Sequence, residues 1–358
     1  MTDVSDGVQE ELEVIRRASM AVLGHRCYVL GPEVQQLEVE LAAMLGTRHA
    51  IGCNSGFGAH LLSLLALDIG TGSRVLVTPF SPSSFAGAVV RRGATVVLVD
   101  VAPEDFHLDT TQLIGPLRDV DAVVVHHLFG GAADMAAICS AAGSIPVMEV
   151  VTYSFGARLG GRWVGTFGSL ATCCLREETT FGAYGDAGMV WTNDPELAAR
   201  LCTIRAESGW TDVYDGIVAG NFHMDTIHAA ILLRRIHMLD AVQARRRHRA
   251  GLLVAALAAY GIGNLVVPDL WRELATRFVV LAPERDQLYS HLRSRGIAAE
   301  PWWPVPLHLQ PGLRSLGYAR GDFPNAERVS RMALHLPLPG EEQEAERLAS
   351  ELAGFYGS

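Results

Sequence analysis

Residues 74–99 read RVLVTPFSPSSFAGAVVRRGATVVLV, and the order within that stretch decides the fold. Arg74 to Thr78 and Thr95 to Val99 are apolar, β-branched runs of strand length, the composition of strands buried on both faces. Ser83 to Arg92, between them, has a helix-like pattern. Strand, helix and strand in so short a span imply a right-handed crossover between parallel neighbours. The pattern continues outward. Ala122 to Val125 and Ile145 to Met148 read as further buried strands, and Gly58 to Leu67 and Ala132 to Ala142 as helices. An α/β protein with a mainly parallel sheet follows, and sites in such sheets lie beyond the carboxyl ends of the strands.

Toward the C-terminus the order changes. A long helical pattern runs from about Asp225 to about Tyr260, with Ile231, Arg234, Arg235, Met238 and Leu239 at helical spacing. A strand (Phe278 to Leu281), a helix after Pro283 and two late helices (Asn325 to Ala333, Glu341 to Leu352) then mark a small α+β domain. The boundary is placed at 240, giving a large domain of 1–240 and a small one of 241–358.

Composition excludes several classes. The 358 residues are 49% hydrophobic, ample for a large core. No apolar run reaches a membrane-spanning length, and the acidic, polar start lacks the order of a signal peptide, so the expected location is cytoplasmic. A net charge of -10 speaks against a nucleic-acid partner. The basic run Arg245 to Arg249 lies in a helical pattern and reads as a solvated face. Six irregularly spaced cysteines suit neither disulfides nor a zinc site, and no metal is expected. The chain contains no lysine: all 29 of its basic Lys+Arg residues are arginine.

Several segments resemble the sugar aminotransferases of the DegT/DnrJ/StrS type. They are GPEVQQLEVELAAMLGTRHAIGCNSG, GATVVLVDV, HHLFGGAADM, GRWVGTFG, FGAYGDAGMVWTNDPELAARL, GNFHMDTIHAAI and the run from Pro304 to Leu338. The likeness covers about Tyr28 to Leu352. It implies the type I aminotransferase fold, a large domain around a mostly parallel seven-stranded sheet plus a small C-terminal α+β domain. It also implies a homodimer with sites at the subunit interface, and pyridoxal phosphate as cofactor. Fold alone does not carry function, so the site has to be read residue by residue.

Such a site supplies an aldimine lysine, a carboxylate on the ring nitrogen, a ring-stacking partner and phosphate donors. The resemblance puts Thr179 at the lysine position and Val150 at the carboxylate position. Tyr153 replaces the glutamine and Phe155 the histidine of the same motif. Phe57 takes the place of a phosphate-binding hydroxyl, Cys174 that of a serine, and Pro82 that of the stacking aromatic. Trp302 stands where histidine is usual and His223 where arginine is usual. Gly56, the turn from Gly182 to Asp186, Asn221 and the segment Pro304 to His308 persist. With the constellation gone, no cofactor is expected.

Phe57, Pro82, Val150, Tyr153, Phe155 and the pair Trp302-Trp303 together suggest an apolar, aromatic cleft suited to a partly apolar small molecule. The other reading is a cleft that filled in once the cofactor was lost. Glu177 and Glu178, beside Arg176, are candidate acid/base groups, with Tyr153 a third candidate. Charges in a loop more often face solvent. Phe57, Thr179, Cys174, Asn221, His223 and Trp302 are candidate ligand contacts. Cys174 as a nucleophile lacks any activating motif, and His126-His127 reads as structural. Three functions follow: a cofactor-independent enzyme on a specialised-metabolite intermediate, an inactive partner forming a heteromer with a lysine-bearing paralogue, or a small-molecule binding protein.

Overall fold

A computed structural model describes residues 8–176, 179–206, 219–272 and 274–357. Two helices, α1 (Val8–His25) and α2 (Pro32–Leu45), precede the sheet. The large domain then runs β1 (His49–Cys53), α3 (Gly56–Ala66), β2 (Arg74–Val77), α4 (Ser83–Arg91), β3 (Thr95–Leu98), β4 (Ala122–His126), α5 (Met135–Ala142) and β5 (Val147–Val150). A short hairpin follows, β6 (Arg158–Leu159) and β7 (Arg162–Trp163). Next come β8 (Leu170–Cys174), β9 (Gly188–Thr192), α6 (Pro195–Arg205) and α7 (Thr226–Ile236).

The seven-stranded sheet has the order β1-β9-β8-β5-β4-β2-β3, and β9 alone pairs antiparallel with both neighbours. It is the mostly parallel seven-stranded sheet expected from the sequence. All five residues of β4, AVVVH, are buried. Each fully buried valine there contributes about 1.5 kcal/mol or more. Local chemistry starts the helices: Ser55 accepts from the Gly58 N–H at 2.9 Å to cap α3. Asp194 caps α6 through the Glu196 and Leu197 N–H groups, with Pro195 pre-set at the first turn.

The small domain comprises α8 (Leu239–Ala259), β10 (Phe278–Leu281), α9 (Arg285–Ser294), β11 (Glu300–Pro301), α10 (Pro324–Met332), β12 (Ala333–Leu336) and α11 (Glu342–Tyr356). Its sheet, β10-β12-β11, is antiparallel. A separate core of Leu253, Leu257, Phe278, Val280, Leu288, Leu334 and Leu352 lies between that sheet and its helices. The domains are tied by Asp100, just past β3, whose carboxylate accepts from the Asn325 and Ala326 N–H groups and so caps α10.

Two sequence expectations are corrected. The helical pattern from Asp225 to Tyr260 is two helices, interrupted at His237 and Met238, because α7 packs on α1 and α2 while α8 packs on α11. Arg246, inside the basic run, is not on a solvated face: it donates to the carbonyls of Ala275 and Thr276 at 2.8 and 2.9 Å. Arg245, Arg247 and His248 are exposed. Among the described residues no helix is long and apolar enough to cross a membrane, and no cluster of potential metal ligands occurs.

Candidate functional site

A cavity of about 440 Å³ opens at the carboxyl ends of β5 and β8, against the first turns of α3 and α4. One wall is apolar, made by Phe57, Pro82, Val150, Tyr153 and Trp303. The rim opposite carries Arg176, Thr179 and Asp186, the first and last of these 4.0 Å apart as an exposed ion pair. Ser55, His60, Ser83, Ser84, Thr152 and Gln310 add further polar groups to the lining.

Strand alternation decides what β5 presents. Val150 faces the cavity, and Glu149 therefore faces the opposite side. There its carboxylate meets His127 Nε2 at 2.9 Å and accepts from the N–H groups of Gly165, Phe167 and Gly168 at 2.7, 2.7 and 2.6 Å. Burial opposes the Glu149 charge, but His127 and these N–H groups outweigh it and hold its pKa below the ordinary carboxylate value. His127 Nδ1 accepts from the Ala133 N–H, which makes Nε2 the donor to Glu149. The structural role expected for the second histidine of His126-His127 is thus that of a clamp under the β5 end.

The start of α3 is occupied by its own neighbours. Ser55 Oγ is used as the helix cap. A Cβ built on Gly56 would lie 2.9 Å from Cys174 Sγ, so the thiol fills the space against the first turn. Burial pushes the Cys174 thiol up, against the habit of reactive cysteines. Thr179 Oγ sits 2.7 Å from the Arg176 carbonyl and 3.0 Å from that of Phe181, with one proton to share between them.

Of the residues singled out in the sequence, the structure brings Phe57, Pro82, Val150, Tyr153, Cys174 and Thr179 to one cavity. Glu177 and Glu178 lie outside the described residues. Four others sit elsewhere. Phe155 is in the core behind the sheet, stacked on Phe181 at 5.1 Å. Trp302 packs edge-on against Tyr153 at 4.9 Å, while Trp303 reaches the cavity. Asn221 is exposed, its carbonyl accepting from Asn54 Nδ2, and His223 does not line the cavity.

His60 and Ser84 were not singled out in the sequence. The available signal was a histidine at i+3 from Phe57 within an otherwise apolar helix face. His60 is 3% exposed, and burial drives its pKa down to about 3, so the imidazole is neutral. His126, in register with Val150 across β4 and β5, is likewise held near 3 by burial, and neither ring nitrogen has a hydrogen-bond partner among the described residues.

The sequence model of the DegT/DnrJ/EryC1/StrS aminotransferase family matches residues 9–349. The chain is 36% identical to a dTDP-3-amino-3,4,6-trideoxy-alpha-D-glucose transaminase of Streptomyces venezuelae, over 92% of this chain and 88% of that one. It is 34% identical to a pleiotropic regulatory protein of Geobacillus stearothermophilus, over 99% and 98%. Among solved structures, a DegT DnrJ EryC1 StrS aminotransferase from Brucella abortus superimposes with a TM-score of 0.91 at 28% identity, covering 100% of this chain and 99% of that one. S. venezuelae DesV in complex with a ketimine intermediate gives the same TM-score at 32% identity, with 100% and 98% covered.

Proposed function

The chain belongs to the DegT/DnrJ/EryC1/StrS aminotransferase family, and we propose that within it this protein works without pyridoxal phosphate, as an enzyme acting on a small, partly apolar intermediate of specialised metabolism. The observation that carries the reading is the cavity itself. It stands at the carboxyl edge of the parallel strands, and Phe57, Pro82, Val150, Tyr153 and Trp303 give part of its lining an apolar, aromatic character.

The residues present do not fit the cofactor. The chain has no lysine for an aldimine. β5 turns a valine toward the cavity and commits its neighbouring carboxylate to His127 on the other side. The α3 terminus, where a phosphate would meet free N–H groups, is packed by Cys174 and overlooked by the Phe57 ring. A phosphate set against such a surface loses its hydration without equivalent donors. An apolar wall facing a few polar groups is instead the composition of a small-molecule pocket. Glu177 and Glu178, which follow Arg176 in sequence, are the proposed acid/base groups, with Tyr153 of the cavity lining a third. A homodimer is part of the same proposal.

Relatives in sugar and natural-product biosynthesis support the metabolic setting, since one is an S. venezuelae sugar transaminase. The test is direct. Purified protein equilibrated with pyridoxal phosphate and passed through gel filtration is expected to retain none of the cofactor's absorbance. Stoichiometric cofactor that stays with the protein overturns the proposal.

A second reading is favoured by one observation, the regulatory name of a relative that matches nearly the whole chain. On that reading the protein is an inactive partner of a lysine-bearing paralogue. Co-purification with such a paralogue in a fixed ratio, together with no ligand in the cavity, would replace the enzyme reading.

A further inference from the structure

Behind the cavity lining a file of three side chains crosses from helix to helix to sheet. Ser84 Oγ, in the first turn of α4, lies 3.4 Å from His60 Nε2 on α3. The other nitrogen of the same ring, Nδ1, lies 3.1 Å from Thr172 Oγ on β8. His60 and Thr172 are buried, whereas Ser84 is only partly so and lines the cavity. The ring of Phe85 packs against His60 at 4.6 Å and fixes its orientation.

We infer that Ser84, backed by His60, is the polar anchor of the cavity and selects a ligand that carries a hydroxyl group on a ring. The inference rests on the reading that the cavity takes a small, partly apolar molecule, and it names the class. A serine hydroxyl offers one donor and two acceptor positions, and His60 engages one of them. If His60 carries its proton on Nδ1, Ser84 donates to Nε2 and presents acceptors to the cavity. If the proton is on Nε2, Ser84 accepts from it and presents its own O–H. A hydroxyl both donates and accepts, so it matches Ser84 in either tautomer. A carbonyl matches in only one, whereas an ammonium can use an acceptor position in both, so the apolar, neutral wall is what favours the hydroxyl over it.

The aromatic wall supplies the other half of the selection. Phe57, Tyr153 and Trp303 face the space next to Ser84, and flat rings pack against such surfaces with little entropic cost. The file is a binding device and not a serine nucleophile. The group behind the imidazole is a threonine hydroxyl, where a nucleophilic triad has a carboxylate to stabilise the imidazolium. Burial, which keeps His60 neutral, agrees with that.

Phenol and toluene, equal in shape and different in one hydroxyl, are the probes, with binding to the full-length protein followed by ligand-observed NMR titration. Phenol is expected to bind roughly fivefold more tightly than toluene, the value of one net neutral hydrogen bond. Ser84→Ala is expected to abolish that preference while leaving toluene binding as it was, and Ser84→Thr to retain it. Equal binding of the two probes by the unaltered protein overturns the anchor but leaves the apolar cavity standing. A phenol preference that persists in Ser84→Ala overturns the anchor as well. Binding of neither probe overturns both the anchor and the pocket reading it rests on.

Discussion

Gly56 and Cys174 are packed so tightly that a methyl group on the glycine would stand 2.9 Å from the Cys174 sulfur and 3.0 Å from its Cα. The contact joins the first turn of α3 to the end of β8, two elements of the cavity rim. It also fills the corner that a helix N-terminus would otherwise offer to an anion.

Gly56→Ala is expected to destabilise the fold by about 2 kcal/mol, the usual cost of forcing atoms into a filled site. Cys174→Gly in the same chain removes the opposing side chain and should recover most of the loss. A double-mutant cycle by denaturant unfolding reads the coupling. Additive effects would mean that the two residues do not meet.

Glu149→Gln is expected to cost about 3 kcal/mol, because the clamp under β5 then has a buried histidine and three N–H groups without their carboxylate. The folded-state pKa of Glu149 is lowered, so its stabilisation is complete above the ordinary carboxylate value of 4.5 and is lost as pH falls below it. Urea melts of both proteins at neutral and acid pH check this. The difference between them should shrink on acidification.

His126→Leu is expected to raise stability, and more so at pH 5 than at pH 7.5. The folded-state pKa of His126 is depressed to about 3 from 6.5 by burial, so between those values the unfolded chain takes up a proton that the folded chain refuses. That costs about 1.4 kcal/mol per pH unit as pH falls through the window. Thermal melts at the two pH values measure the difference. An equal gain at both would show that the ring is already solvated.

Thr179→Lys is expected not to yield a holoenzyme. An amine there restores one of the cofactor's contacts, while Val150 still faces the ring position and Cys174 still fills the α3 corner. Stoichiometric cofactor retained through gel filtration would show that the remaining substitutions are tolerated.

The strands of the parallel sheet were legible where three or more consecutive residues are apolar, as in β2, β3 and β4, since burial on both faces favours such β-branched runs. β1, β8 and β9 were not, because HAIGC, LATCC and GMVWT contain small residues admitted by close packing, as at Gly188, whose Cβ would meet Cys53. Half of the cavity was legible for a different reason: Phe57, Val150, Cys174 and Thr179 stand at positions marked by intact neighbouring motifs. Phe155 and Trp302 were assigned to it and lie outside it.

The sequence by itself determined that no side-chain amine of lysine exists anywhere in this chain, that its strands alternate with helices, and that its likeness to the family runs from about Tyr28 to about Leu352. Only the tertiary structure decided which face of β5 meets the cavity, sending Glu149 to His127 and Val150 to the cavity. It alone brought His60, Ser84 and Thr172 into one file. Residues 60, 84 and 172 are far apart along the chain, and no periodicity within one element encodes a hydrogen bond between three. Such contacts are set by how α3 and α4 pack on the sheet, which is a property of the assembled core.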